Sequence, residues 1–347
     1  MNIPSGNFAL KVASGLLLVA STSLHAQAPS ATSGFSSVVC GKEYNDAGTT
    51  AIVREVFEEK FRRLSEEKPG ALAASGVTST EFTKRNAGLK FVVCDSRGSF
   101  DSLSVPEVGV VFDVKLIGLL MAQARALIAG ATLHQGDQYR LHRALMSEYI
   151  KDGAKRNINP INQVEQDAVA AGTKASDYDA LLRNADFKRR EQNLFLVALN
   201  FLSLHERCHF ALGHHARIDE IRKQPEASQR EPRRQLELDA DKCAMAIINT
   251  DEGGFVASPT AYFGTVMVVT TQAIVSSFDS SPDKSSHPSS GVRLEAAQSQ
   301  VLRFVETRPV NAERYEKYKA TVEATGRHMT SMLDTAESAR KARMVSR

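Results

Sequence analysis

The chain has 347 residues, of which 42% are hydrophobic and 24% charged, with a net charge of +3. This is an ordinary globular composition, enough for one large domain or two small ones. The weak net charge, with no Arg/Lys-rich run carrying interleaved aromatics, argues against a nucleic-acid partner.

Residues 1–28 read as an export signal. Lys11 is their only charged side chain, Val12 to Ala20 is a short apolar run, and small residues follow at Ala26 and Ala28. An uncleaved anchor is the alternative. The expected location is extracytoplasmic, in the periplasm after signal cleavage. Residues 29–47 form a linker that begins with a polar, small-residue stretch.

From Thr50 to Ser65, apolar Ile52, Val53, Val56, Phe57, Phe61 and Leu64 recur at helical spacing, stopping before Pro69-Gly70. Residues 71–88 are small and polar and read as a loop. Lys90 to Cys94 and Val108 to Phe112 are rich in β-branched and aromatic residues and read as strands. Val114 to Leu133 is strongly apolar but interrupted by Lys115 and Arg125, which favours a buried helix over a membrane span. Residues 135–190 are charged and helical, broken at Gly153, Pro160 and Gly172. His134 and His142 have no acidic companion at ligand spacing and read as surface histidines.

Arg189 to His215 reads as one long helix whose packed face carries Leu194, Val197, Phe201, Leu204 and Cys208. On it lies His205-Glu206-Arg207-Cys208-His209, an H-E-x-x-H sequence. At about 100° per residue, His205 and His209 stand one turn apart on one face, within reach of a single cation. Glu206 is beside them, placed to act on a water. A charged surface helix is the bland alternative.

A catalytic zinc takes a third protein ligand. His215 stands at the metzincin distance, but Leu212 occupies the position where the turn needs glycine and Gly213 comes one residue late. Glu237 is the better source, on a helix opening at Gln235. Glu237 and Asp241 are four apart and share a face, while Asp239 points away. Asp241 would accept a hydrogen bond from a ligand histidine. The competing explanation is an acidic helix start favoured by the macrodipole.

The four cysteines are Cys40, Cys94, Cys208 and Cys243. An even count in an oxidising compartment suggests disulfides, and three pairings are open. Pairing Cys208 with Cys243 would lock the two metal-bearing helices together, leaving Cys40 with Cys94; buried thiols are the alternative. Gly253 to Phe278 carries no formal charge, but its Ser, Thr, Gln272 and Pro259 favour a core helix, so no transmembrane helix is expected in the mature chain. His287 lies in a Ser/Pro-rich loop, where a histidine is ordinarily solvated.

Three motifs together resemble the gluzincin endopeptidases of the HtpX and CAAX-prenyl-protease type, over about residues 89–306. They are His205-Glu206-x-x-His209 followed by His214, then Glu237-x-x-Ala240-Asp241, then His287-Pro288 with Arg293. Two departures stand out: that family's Asn-Ala before the second strand is absent, with Asp101-Ser102 nearby instead, and a helical insert spans about 121–190.

The resemblance implies an α+β, predominantly helical, zincin-like domain at 48–310, with a small sheet and two metal-bearing helices, followed by a C-terminal helix at 311–347. It implies one Zn2+ per chain, held by His205, His209 and Glu237, with Glu206 catalytic. His287 would lie near the metal, stabilising an oxyanion or filling the open coordination position, and Arg293 would brace that loop or an acidic partner. The expected activity is a zinc metalloendopeptidase acting on envelope or secreted proteins. The strand at 108–112 would pair with an extended protein or peptide substrate. The alternative is a catalytically silent zinc-binding or chaperone-like envelope protein.

Overall fold

A computed structural model describes residues 42–43, 46–95, 102–106, 109–152, 160–251, 258–276, 289–307 and 311–345. The expected signal and most of the expected linker lie outside them, as do Cys40, Asp101, His287 and Pro288.

The chain opens with β1 (Lys42–Glu43) and α1 (Ala47–Arg54). Asp46 caps α1, its carboxylate accepting from the Thr49 amide at 2.7 Å. A π-helical segment, Glu55–Lys60, carries the helix on into α2 (Phe61–Glu67), and Val53, Val56, Phe57 and Leu64 are buried along its length.

The loop expected at 71–88 is instead largely helical, with α3 (Pro69–Ala73) and α4 (Ser79–Asn86). Both carry local start signals. Proline opens α3, and Thr78 with Glu81 has the spacing of a capping box, the Thr78 hydroxyl accepting from the Glu81 amide at 3.2 Å. Phe82 of α4 is fully buried, which gives so short a helix its anchor.

The sheet comprises β1, β2 (Lys90–Asp95), β3 (Ser102–Val105) and β4 (Gly109–Asp113), in the order β1-β2-β4-β3. β4 runs parallel to β2 and antiparallel to β3. Gly109 has φ 143°, and a Cβ there would fall 1.9 Å from the Lys90 carbonyl oxygen, so only glycine permits this pairing. The expectation that the strand at 108–112 pairs with substrate is overturned. β4 is hydrogen-bonded on both sides, and β3 is the edge strand beside it.

Asp113 caps α5 (Val114–Leu133), accepting from the amides of Lys115 and Leu116 at 2.7 and 3.2 Å. Among the described residues α5 is the helix long and apolar enough to cross a membrane, yet 61% of that stretch is buried inside the protein. One part of its surface joins the main core. Leu119, Ala122, Ala126 and Ala129 build a second apolar cluster with α6 (Arg140–Asp152), α7 (Pro160–Ala170) and α8 (Ala175–Arg183).

The rest is helical: α9 (Ala185–Ala211), α10 (His214–Arg222), α11 (Glu226–Asp251), α12 (Ser258–Ser276), α13 (Ser290–Glu306) and α14 (Ala312–Val345). The fold is α+β and predominantly helical, as expected. α9 is its centre, packed against α5, α11 and α12. α12 is the expected core helix, burying Tyr262, Val266, Met267 and Val268. Its Gly264 allows close approach to α9, since a Cβ there would meet Val197 Cγ1 at 2.8 Å.

His142 is not at the surface. It is fully buried, with Nδ1 2.8 Å from His328 Nε2 on α14 and Nε2 3.1 Å from Gln123 Oε1 on α5. His134 is half-buried, its Nε2 3.4 Å from Thr173 Oγ1. The charges flanking these histidines do face solvent, but α14 folds back over the helix face that carries His142.

Candidate metal centre

α9 ends at Ala211, earlier than the pattern suggested, because Gly213 takes a left-handed conformation (φ 68°) and redirects the chain into α10. α11 begins at Glu226, earlier than expected, and includes Pro232. Glu237 lies well inside α11, which rules out the helix-start explanation for its presence. Asp239, as expected, turns to the surface, 3.8 Å from Arg217.

His205 Nε2 and His209 Nε2 lie 3.2 Å apart. Glu237 places one oxygen 3.4 Å from His205 Nε2 and the other 3.7 Å from His209 Nε2. Bonds of about 2.0–2.1 Å in a tetrahedral zinc shell put neighbouring donors roughly 3.3–3.4 Å apart. The donor set and its spacing therefore suit a zinc ion, and these three residues could hold one.

The groups behind the donors orient them. His205 Nδ1 lies 2.9 Å from Asp241 Oδ1, leaving Nε2 to face Glu237. Arg293 of α13 grips Asp241 with two bonds of 2.6 and 2.7 Å and donates a third, of 2.7 Å, to Gln272. The acidic partner expected for Arg293 is thus Asp241. His209 Nδ1 lies 3.0 Å from Nδ1 of the fully buried His214. His215 is not drawn in; its ring packs on Phe210 at 4.6 Å.

Burial opposes charge throughout this site, and its partners decide the outcome. Burial would push His205 down, but hydrogen bonds to Asp241 and Glu237 outweigh it and hold the imidazole up at about 10. Burial would raise Asp241, but Arg293 and His205 hold it down at about 2. Burial leaves His209 at about 3 and His214 at about 4, so both are neutral at physiological pH, the form in which an imidazole binds a metal. The carboxylates that favour a proton on His205 would equally favour a metal cation beside it.

Glu206 is 4% exposed and accepts a hydrogen bond of 2.8 Å from Ser102 Oγ on β3. Sequence reasoning did not assign Ser102 to the site. The only signal was that Asp101-Ser102 lies near where the resembled family has its Asn-Ala, which this chain lacks. Arg207, also inside H-E-x-x-H, turns the other way. Its guanidinium lies 3.9 and 3.8 Å from the ring centroids of Phe57 and Phe61 and donates to the Phe57 carbonyl at 2.7 Å. Arg85 of α4 donates to the Ala211 carbonyl at the end of α9, at 2.7 Å.

Cys208 and Cys243 form the expected disulfide. Cys94 is also disulfide-bonded, and its expected partner Cys40 lies outside the described residues. The roles expected for His287 likewise fall outside them.

No curated protein and no solved structure matches the chain. A family model does match, and it corrects the resemblance drawn from the motifs. It is not that of the HtpX and CAAX-prenyl-protease gluzincins but of Peptidase U49, over residues 134–309. Short motifs of this kind follow from the ligand chemistry and recur where the surrounding chain differs. The match covers half of the chain, including α9, α11 and α13 with the residues that converge on them: the chain belongs to the Peptidase U49 family, and is a peptidase acting on peptide substrates.

Proposed function

We propose that this peptidase is a zinc-dependent endopeptidase, with one zinc held by His205, His209 and Glu237 and with Glu206 as its general base. The observation that carries the reading is the convergence of two imidazole nitrogens and a carboxylate within 3.2 to 3.7 Å, with a buried glutamate next to the first of them in sequence. When bound, zinc would supply Lewis acidity toward the scissile carbonyl and acidify a water. Glu206 takes a proton from the attacking water and returns it to the leaving amine. Asp241 and His214 keep the two imidazoles turned toward the ion, and Arg293 keeps Asp241 ionised. β3, an edge strand, carries Ser102 against Glu206 and offers the edge on which an extended substrate would pair.

Action outside the cytoplasm, on envelope or secreted proteins, belongs to the same proposal. The Cys208–Cys243 bridge and the disulfide at Cys94 support it, since such bonds persist in oxidising compartments, and so does the apolar run Val12 to Ala20. Metal analysis paired with a casein-cleavage assay tests the activity. One zinc per chain and cleavage abolished by a chelator are expected; chelator-resistant cleavage would rule the reading out. Sequencing the N-terminus of the mature protein tests export.

A further inference from the structure

We propose that Ser102 is a positioning residue for the peptidase reaction, fixing the Glu206 carboxylate against β3 so that it meets the attacking water in one orientation. The inference rests on the reading of Glu206 as the general base and adds to it a residue lying outside the matched span of 134–309.

The geometry comes from the sheet. Ser102 pairs with Phe112 of β4, and directly paired residues on neighbouring strands project to the same face. Phe112 is fully buried in the main core, its ring 5.8 Å from that of Phe57, and β3 packs against α9. The side chain of Ser102 shares the face of Phe112 and is 4% exposed. Leu103, next in sequence, projects from the opposite face and is 40% exposed.

Ser102 therefore buries a hydroxyl where an apolar residue would serve packing better, and that hydroxyl lies 2.8 Å from Glu206 Oε1. The hydroxyl donates and the carboxylate oxygen accepts. The contact joins segments 104 residues apart, and β3 is itself registered by four pairs along β4. A general base works only within hydrogen-bond reach of the proton it removes, so a strand-mounted donor that fixes one carboxylate oxygen fixes the direction of the other.

The test compares the wild-type protein with Ser102→Ala, Ser102→Thr and Glu206→Gln, using casein as the probe. Ser102→Ala should lower kcat on the order of tenfold, as for loss of a hydrogen bond to a charged group, with KM and zinc content close to wild type and Tm somewhat reduced. Ser102→Thr, which keeps the hydroxyl, should recover most of the rate. A Ser102→Ala kcat within twofold of wild type, or a threonine variant no better than alanine, overturns the proposal while leaving Glu206 as the base. An active Glu206→Gln removes the base itself, and the proposal falls with it. A readout independent of turnover is a crystal structure of Ser102→Ala. The Glu206 carboxylate should swing away from its wild-type orientation, and an unmoved carboxylate counts against the proposal.

Discussion

Cys208 and Cys243 are joined across α9 and α11 with their Cα atoms 6.1 Å apart, so the two helices that carry the metal-ligand candidates are tied covalently at the site. Cys208 immediately precedes His209, and Cys243 lies two residues after Asp241. Both are buried, so the bridge is shielded from solvent thiols.

Replacing both cysteines with alanine should cost about 4 kcal/mol, the loop-entropy value for a sequence separation of 35. Urea unfolding of the two proteins measures it. Zinc affinity should fall as well, because Glu237 would then be held against the histidines by packing alone. Unchanged affinity in a chelator competition would show that the bridge has no part in shaping the site.

Glu206→Gln preserves the shape of the side chain and removes its basicity. Casein cleavage should drop about 10²- to 10⁴-fold, the usual contribution of general-base catalysis, while one zinc per chain is retained. Zinc should raise the Tm of both proteins, since a ligand bound only by the folded state stabilises it. Near-normal cleavage by this variant would rule out the proposed mechanism.

Asp241 is shared between His205 and Arg293, so replacing Asp241 and replacing Arg293 should have different effects. Asp241→Asn should weaken zinc binding about 10- to 100-fold, the usual cost of losing a partner behind a ligand histidine. Arg293→Met should instead act mainly on stability, by about 3–5 kcal/mol, because it strands a buried carboxylate without its counter-charge. Chelator competition and thermal unfolding separate the two effects.

The buried pair His142 and His328 should make stability depend on pH. Burial pushes His142 well below 6.5, with His328 and Arg143 adding to the effect. Burial and Arg143 bring His328 down to about 4, although Asp137 pulls the other way. Unfolded, each imidazole takes up a proton near pH 6.5; folded, each does so only at lower pH. Their contribution to stability is therefore intact above pH 6.5 and is lost as pH falls from there toward 4, on the order of 3 kcal/mol for His328. Urea midpoints across that range measure the loss. Replacing His328 with glutamine should flatten the dependence, and an unaltered slope would place its origin elsewhere.

Much of the site was legible because it is written in local spacing. A helix returns to the same face every three or four residues, so His205 with His209, and Glu237 with Asp241, were paired by chain geometry before any folding was considered. The core helix after α11 could be read from its composition. The Cys208–Cys243 bridge required only that the two helices meet. The family was not legible in the same way, since these motifs follow from ligand chemistry, and it took the match over 134–309 to name it.

The sequence by itself determined which side chains could act together within one helix. Only the tertiary structure decided which helices and strands they would meet. It buried His142 beneath His328, 186 residues away, enclosed β4 between two strands, and set Ser102 against Glu206. Such pairings depend on which apolar faces pack together, and that choice is made by the whole core, whereas periodicity is imposed residue by residue along the backbone.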